Sequence, residues 1–498
     1  MICVGTNLGQ ALAQYMKAVR LEIQNRKSLA RPADTRLAVL VGEDQILLRA
    51  VESAEKGQEF QTLVRDTASL CHPEGPARAS SSKLARQVAE FFRLSGIYCD
   101  LFDGRGVQPE EVLPRFHAAF EAETQTVTYY APIEWVYFGK EAVRFGEFEI
   151  RRLTTAEMET IFRDRIHRVF YPWARVNVDE LVGYWCLIAR ETVPVDPPGR
   201  TIFRINARVD PHRPRFYAPI DRALSLLALG DWSSRRSMPA DKAGTPDALN
   251  TSEWPLPELV PFAVTVSDYH LDWPRRAPDT SLLNRIEETD PQTGEVWDQP
   301  NYQIHWDVPR ADEFERLLAS VCQALEGIQP QGHQWAFFQV ALHFLGKAFT
   351  SAGIESLLWS MIAIDALVGE DEHGTKARLS ARVGRILGEP QREKCKALYG
   401  IRSDLVHGNA EFKSAVHLGH VGIAREMARL AALWMLRYLE YVAAAAKRSS
   451  SAVPGRADLM AILDGNVAAR QRHAVIAEAL PKTFPRVKAW LEPPKWHD

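Results

Sequence analysis

Cysteine is scarce and scattered in this chain. There are six in 498 residues (Cys3, Cys71, Cys99, Cys186, Cys322 and Cys395), with no Cys-x-x-Cys and no two at zinc-knuckle spacing. That excludes a zinc ribbon or a disulfide-stapled scaffold, and the thiols read as the reduced cysteines of a cytoplasmic protein. Long apolar runs are missing too. The most apolar stretch, 430–446, is interrupted by Arg437 and Glu440, so it reads as a core helix rather than a membrane span, and no membrane partner is expected. The N-terminus lacks a positively charged start followed by an apolar core, so no signal peptide is expected. Charge of one sign is absent as well: 60 Lys and Arg stand against 63 Asp and Glu, a net charge of -3. No chain-wide basic field advertises nucleic acid. No internal repeat or long low-complexity tract occurs.

What is present is enough hydrophobic residue, 46% of the chain, for two or three domains with sizeable cores. Residues 1–30 carry Leu8, Leu12, Tyr15, Met16, Val19 and Ile23 at helical spacing. The 37–51 stretch alternates and is β-branched, which predicts a hairpin around Gly42-Glu43-Asp44. A Pro/Ala/Ser-rich loop at 73–82 precedes helices at 83–94 and 109–122. Strands are expected at 126–130, 135–138, 148–153, 183–193, 200–208 and 261–267. Thr154 or Thr155 caps a helix that begins AEMETIF. Segments 231–258 and 272–300, rich in Pro, Ser, Asp and Gly, read as surface loops or insertions. From residue 311 the texture becomes helical, with segments 311–327, 333–349, 353–369, 375–387, 391–407 and 420–446 separated by short Gly- or Pro-marked breaks. A linker (447–456) and a short helical tail follow. The expected division is therefore 1–125, a mixed α/β segment; 126–308, a β-rich α+β domain; 309–446, a helical bundle; and 447–498, linker and tail. The fold class is α+β, with substantial β content ahead of an all-α bundle.

The chemistry concentrates at 398–409, Leu-Tyr-Gly-Ile-Arg-Ser-Asp-Leu-Val-His-Gly-Asn. Arg402 and His407 form an Arg-x4-His pair at the end of a predicted helix that Gly408 and Asn409 stop. An imidazole moves protons near neutral pH, and a guanidinium grips a phosphate with two prongs. Five residues of regular helix turn through about 500°, leaving the two side chains roughly 140° apart. Either the last turn unwinds, or the side chains converge by reach, or a second subunit completes the pair. From 373 to 413 nine Lys and Arg stand against four Asp and Glu. That local excess reads either as a solvated helix face or as a phosphate-facing surface. His417 and His420 are three apart without a third ligand. Gly104-Arg105-Gly106 is a turn without phosphate-loop context. No metal or other cofactor is expected.

The text around the pair carries more than the pair itself. An apolar helix ends at Asp365-Ala366-Leu367, an acidic loop follows at Glu370-Asp371-Glu372, then Leu379-Ser380-Ala381-Arg382, Ile386-Leu387-Gly388, and Ile401 through Gly408. In this order the pieces resemble the HEPN superfamily, most closely its ApeA-like branch, over about residues 310–446. The resemblance implies a homodimer whose two Arg-x4-His motifs face one another across a cleft, acting as a metal-independent endoribonuclease on RNA, tRNA included, in anti-phage defence or as a toxin. It implies Arg402 and His407 as catalytic residues, with Ser403, Asp404 and Asp365 in support. Arg378, Arg382, Tyr399 and Asn409 are candidate RNA contacts. For Asp365 an ion pair with Arg378 or Arg382 is the structural alternative, and for those arginines structural pairing stands beside phosphate binding. Many HEPN nucleases carry Asn, Asp or His where Ser403 stands. The alternative is therefore a catalytically inactive module that dimerises and binds RNA or a ligand. The first 300 residues would sense an activating signal.

Overall fold

The structure, a computed structural model, describes residues 7–29, 36–71, 81–133, 136–162, 164–171, 185–194, 218–230, 236–237, 264–267, 287–289, 296–298, 305–307, 311–329, 334–349, 351, 353–369, 375–408, 418–449 and 452–472. In chain order the elements are α1 (Asn7–Leu29), α2 (Arg36–Ala54), α3 (Gln58–Cys71), α4 (Ser81–Leu94), α5 (Ile97–Phe102), α6 (Pro109–Glu121), β1 (Thr124–Ile133), β2 (Val136–Tyr137), β3 (Ala142–Phe145) and β4 (Phe148–Arg152). Next are α7 (Thr155–Phe162), α8 (Asp164–Phe170), β5 (Trp185–Pro194), α9 (Ala218–Leu227), β6 (Arg236–Ser237), β7 (Val264–Ser267), β8 (Glu287–Thr289), β9 (Val296–Asp298) and β10 (His305–Asp307). Last come α10 (Ala311–Ile328), α11 (Ala336–Phe349), α12 (Gly353–Val368), α13 (Thr375–Leu387), α14 (Glu389–Val406), α15 (Leu418–Ser449), α16 (Arg456–Leu463) and α17 (Val467–Arg472). The described chain is mostly helical with a minor antiparallel sheet component, an α+β fold. No helix among the described residues is long and apolar enough to cross a membrane.

Two compact units divide the chain, and neither is contiguous. One comprises Met1–Pro132, Arg152–Pro219 and Pro261–Leu282; the other comprises Ile133–Arg151, Ile220–Val260 and Leu283–Asp498. The boundaries expected at 125/126 and 308/309 do not coincide with this division, because the β-rich middle is shared between both units.

The first unit is built on α1, whose buried face is Leu8, Leu12, Tyr15, Met16, Val19 and Ile23, the helical stripe expected from the sequence. It packs against α2, α3, α5 and α6. The 37–51 hairpin is a correction: this stretch lies within helix α2. Leu47, Ala50, Val51 and Ala54 are buried on one helical face toward the common core, and that 3–4 spacing outweighs the local alternation. Asp44, read as a turn residue, is held by Arg168, with Nη2 3.3 Å from Oδ1, and lies 3.8 Å from Arg165 Nε. Helix α4 contributes Leu84, Val88, Phe91 and Phe92 to the same core. Strand β1 pairs antiparallel with β7, Val127 opposite Ser267 through Tyr130 opposite Val264, and β5 flanks it on the other side. The expected cap on α7 is a full capping box. The Glu157 amide donates to Thr154 Oγ1 at 3.2 Å, and the Thr154 amide donates to Glu157 Oε2 at 2.9 Å.

In the second unit β3 and β4 form a hairpin around Gly146 (φ 56°), with Phe145 opposite Phe148. The hairpin packs on α10, where the Lys140 ammonium bonds Asp312 (2.9 Å) and Glu315. Short strands β2, β10 and β6 form a small mixed sheet, and β8 pairs with β9. The six helices α10–α15 follow the sequence expectation to within a few residues. Helix α11 packs on α12, α13 on α14, and the long α15 runs against α10, α11 and α12. The tail carries two short helices, α16 and α17. Residues 452–472 pack back on the preceding helices, with Trp335 Nε1 donating to the Pro454 carbonyl at 3.1 Å. The expected strand at 200–208 lies outside the described residues, as does most of 231–258 and 272–300; of the loop expected at 73–82, residues 73–80 lie outside them and 81–82 open α4.

Candidate functional site

Helices α13 and α14 form a tight antiparallel pair. Gly388, at φ 95°, turns the chain, its amide bonded to the Gly384 carbonyl at 2.8 Å. Gly384 lets the two helices meet, because a β-carbon there would stand 2.9 Å from Arg392 Cβ. Cys395 and Leu398 anchor α14 in the core. Burial, and then the nearby Asp365 carboxylate, push the Cys395 thiol up to about 12.

The end of α14 is regular. The His407 amide still donates to the Ser403 carbonyl at 3.0 Å; His407 itself, at φ -92° and ψ 3°, is the C-cap, and Gly408, with φ 70°, turns the chain away, its amide reaching the Leu405 carbonyl at 3.3 Å. Unwinding before the glycine is thereby eliminated as a way to bring Arg402 and His407 together. With helical rotation intact, the two side chains leave α14 about 140° apart. Arg402 is half-buried, and its guanidinium lies over the Tyr399 ring at 5.6 Å, a cation–π contact between residues three apart on one face. His407 and Asp404 are exposed, and Ser403 is half-buried. Among the described residues no hydrogen bond or ion pair joins the guanidinium to the imidazole. Asn409, Glu370, Asp371, Glu372 and His417 lie outside the described residues.

The other candidates separate. Arg382 is 1% exposed and sits inside unit two rather than on its surface. Its Nε donates to Asp464 Oδ1 at 3.0 Å, Nη2 to Oδ2 at 2.5 Å, and Nη1 to the Val368 carbonyl at 2.7 Å. Of the two readings open for this residue, the structure shows internal pairing, with a partner in the tail instead of Asp365. Beside it, Arg385 bonds the Leu463 carbonyl. Asp464 is held below the ordinary carboxylate range by the hydrogen bond from Arg382. Arg378 is exposed. Asp365 is half-buried at the end of α12, its carboxylate packed into the space where Gly369 has no side chain. The Gly369 and Asp365 carbonyls accept from Arg456 Nη2 at 2.9 and 3.3 Å.

Sequence reasoning missed a polar cluster in the first unit. Glu55, in the turn just after α2, accepts from Arg93 Nη2 at 2.5 Å and from the Tyr98 hydroxyl at 3.2 Å. The Tyr98 and Tyr15 hydroxyls lie 2.5 Å apart, and the Tyr171 hydroxyl donates to Glu90, which is 3.9 Å from Arg93. Burial pushes the carboxyls of both Glu55 and Glu90 up from their ordinary range. Their separation along the chain is why no local pattern flags them.

Compared with protein-family models, curated proteins and solved structures, the chain shows no match.

Proposed function

We propose that the chain is an endoribonuclease of the HEPN type, cutting RNA through Arg402 and His407 in a site completed by a second copy. His407 takes the proton from a ribose 2′-hydroxyl. The 2′-oxygen attacks the adjacent phosphorus, and the 5′-oxygen leaves with a proton from an imidazolium or from solvent. Arg402 stabilises the charge that gathers on the phosphoryl oxygens. The products are a 2′,3′-cyclic phosphate and a free 5′-hydroxyl. The substrate brings its own nucleophile, so the step asks the protein only for proton transfer and charge stabilisation.

One observation carries the reading: α14 stays helical through the His407 amide. The guanidinium and imidazole of one chain therefore diverge at an exposed helix end, and a two-fold pairing of such ends brings each Arg402 toward the other copy's His407. A role in anti-phage defence or as a toxin, with the first unit answering an unidentified signal, extends the same reading by resemblance. Ser403 and the absence of an in-chain partner for His407 among the described residues favour the second reading, a non-cutting module that dimerises and binds RNA.

The test is incubation of purified protein with total bacterial RNA in EDTA, beside Arg402→Ala and His407→Ala. Wild type alone should leave fragments ending in cyclic phosphate. Mixing the two inactive variants should restore about a quarter of wild-type activity, since half of the exchanged dimers carry one intact composite site. No restoration would place both groups in one chain, and intact RNA throughout would favour the binding module.

A further inference from the structure

We infer that Lys376 and Lys396 form a phosphate-binding track leading along α14 to His407. The inference rests on the reading above for its ligand, single-stranded RNA.

The helix geometry sets the face. At 100° per residue, Lys396, Gly400, Ser403 and His407 fall within a sector of about 60°, spread over roughly 16 Å of helix. Arg402 lies outside it. Lys376, from the first turn of α13, joins this face from the neighbouring helix. Its Nζ is 3.4 Å from where a β-carbon on Gly400 would be. The missing side chain at 400 gives the ammonium a seat against α14, two turns before His407. Both lysines are exposed, and among the described residues neither makes an ion pair.

The neighbouring arginines are used differently. Arg382 and Arg385 are engaged by the tail, and Arg392 pairs with Glu389 at 2.8 Å. The local basic excess is therefore not one undifferentiated patch. Beside the His407 face it includes this pair of ammonium groups. They are point charges on long stems, suited to following a backbone without reading bases. A strand laid along the face would set one phosphate at His407 and others of the same strand at Lys376 and Lys396.

The experiment uses the full chain carrying His407→Ala, so that RNA is not consumed, and a fluorescent single-stranded oligoribonucleotide as probe. Affinity is read by anisotropy between roughly 50 and 200 mM salt. Each neutralised phosphate contributes about 0.7 to the slope of log affinity against log salt for single strands. Lys376→Ala and Lys396→Ala should each lower the slope by about that amount, and Lys376→Arg should keep it. Lys394→Ala, which removes an exposed charge about 140° around α14 from His407, should leave the slope unchanged. Unchanged slopes in the first two variants, an equal loss in Lys394→Ala, or no RNA binding by the parent would each overturn the track. Wild type that binds through these lysines but cuts nothing would sink the nuclease reading and leave the track standing. Cutting with unaltered slopes would do the reverse.

Discussion

Replacing Asp464 with Ala tests how the tail is held. Arg382 is 1% exposed, and two of its three guanidinium nitrogens are satisfied by the Asp464 carboxylate. Without it, the guanidinium keeps the Val368 carbonyl at 2.7 Å but loses the carboxylate that balances its charge. Removing one partner of a buried ion pair costs about 3–5 kcal/mol, because the remaining charge is stranded away from water. The Asp464 side chain is 35% exposed, so water can follow the lost carboxylate, and the low end, about 3 kcal/mol, is the expected loss. The 3.5 Å contact from half-exposed Arg385 adds at most about 1 kcal/mol. Three kcal/mol corresponds to about two orders of magnitude in an opening equilibrium. The assay is native-state hydrogen exchange by mass spectrometry on peptides covering α13 and α16. Protected amides there should exchange about a hundredfold faster in Asp464→Ala, with the first unit unchanged. Asp464→Asn keeps a neutral acceptor and should show about half the effect on the free-energy scale. A change of less than tenfold in Asp464→Ala would refute the claim that this carboxylate pins the tail.

Three further outcomes can be measured. Gly369→Ala drives a β-carbon into the Asp365 carboxylate and to 2.5 Å from the Asp365 carbonyl oxygen, so denaturant titration should show a loss of about 1–3 kcal/mol. The first unit should lose stability as pH rises. The carboxyls of Glu55 and Glu90 titrate higher folded than unfolded, so their favourable contribution is complete below about pH 4.3 and is lost as pH climbs through their folded values. Glu90→Gln cannot ionise but still accepts from Tyr171, so it should flatten that slope in exchange measurements on α4; an unaltered slope would assign the dependence elsewhere. Asp464 has the opposite sign in the second unit: its depressed carboxyl stabilises above about pH 3.9, and that stabilisation fades only as pH falls through its folded value.

Local pattern was readable where one helix face alternates with solvent. The α1 stripe, the Thr154 cap and the six helices from residue 311 follow from 3–4 spacing and from Gly or Pro at the breaks. The α2 stretch misled because Gly42-Glu43-Asp44 looks like turn chemistry, while the groups that hold Asp44, Arg165 and Arg168, come from over 100 residues away. Helices α3, α5, α8 and α9 are not among the elements the sequence pattern predicts. At the candidate site, the helix end at Gly408 was legible from the glycine itself. The rotation of about 140° between Arg402 and His407 was legible from the spacing. What could not be read was which arginines are free, since the partner of Arg382 lies 82 residues downstream.

That last point changes how the basic excess between 373 and 413 is understood. Several arginines of the second unit serve helix C-termini, where carbonyls lack intrahelical partners. Arg425, buried, donates to the Ala348 carbonyl at 3.1 Å at the end of α11, and burial lowers its pKa to about 10. Arg382 and Arg456 close the end of α12, and Arg385 and Arg470 reach the Leu463 and Ile462 carbonyls at the end of α16. A guanidinium presents several donors in a rigid fork and tolerates desolvation better than an ammonium, so it suits such ends. Lysine, strongly hydrated on a flexible stem, stays outside, as Lys376, Lys394 and Lys396 do. Summing Lys and Arg as one basic surface therefore overstates what faces a ligand. Arg402 is the informative exception: it lies near a helix end, yet is given to the face of Tyr399 instead of a carbonyl. An arginine left out of the capping scheme and steadied by an aromatic ring is free to turn its donors outward, and the proposed chemistry would use them on a phosphate.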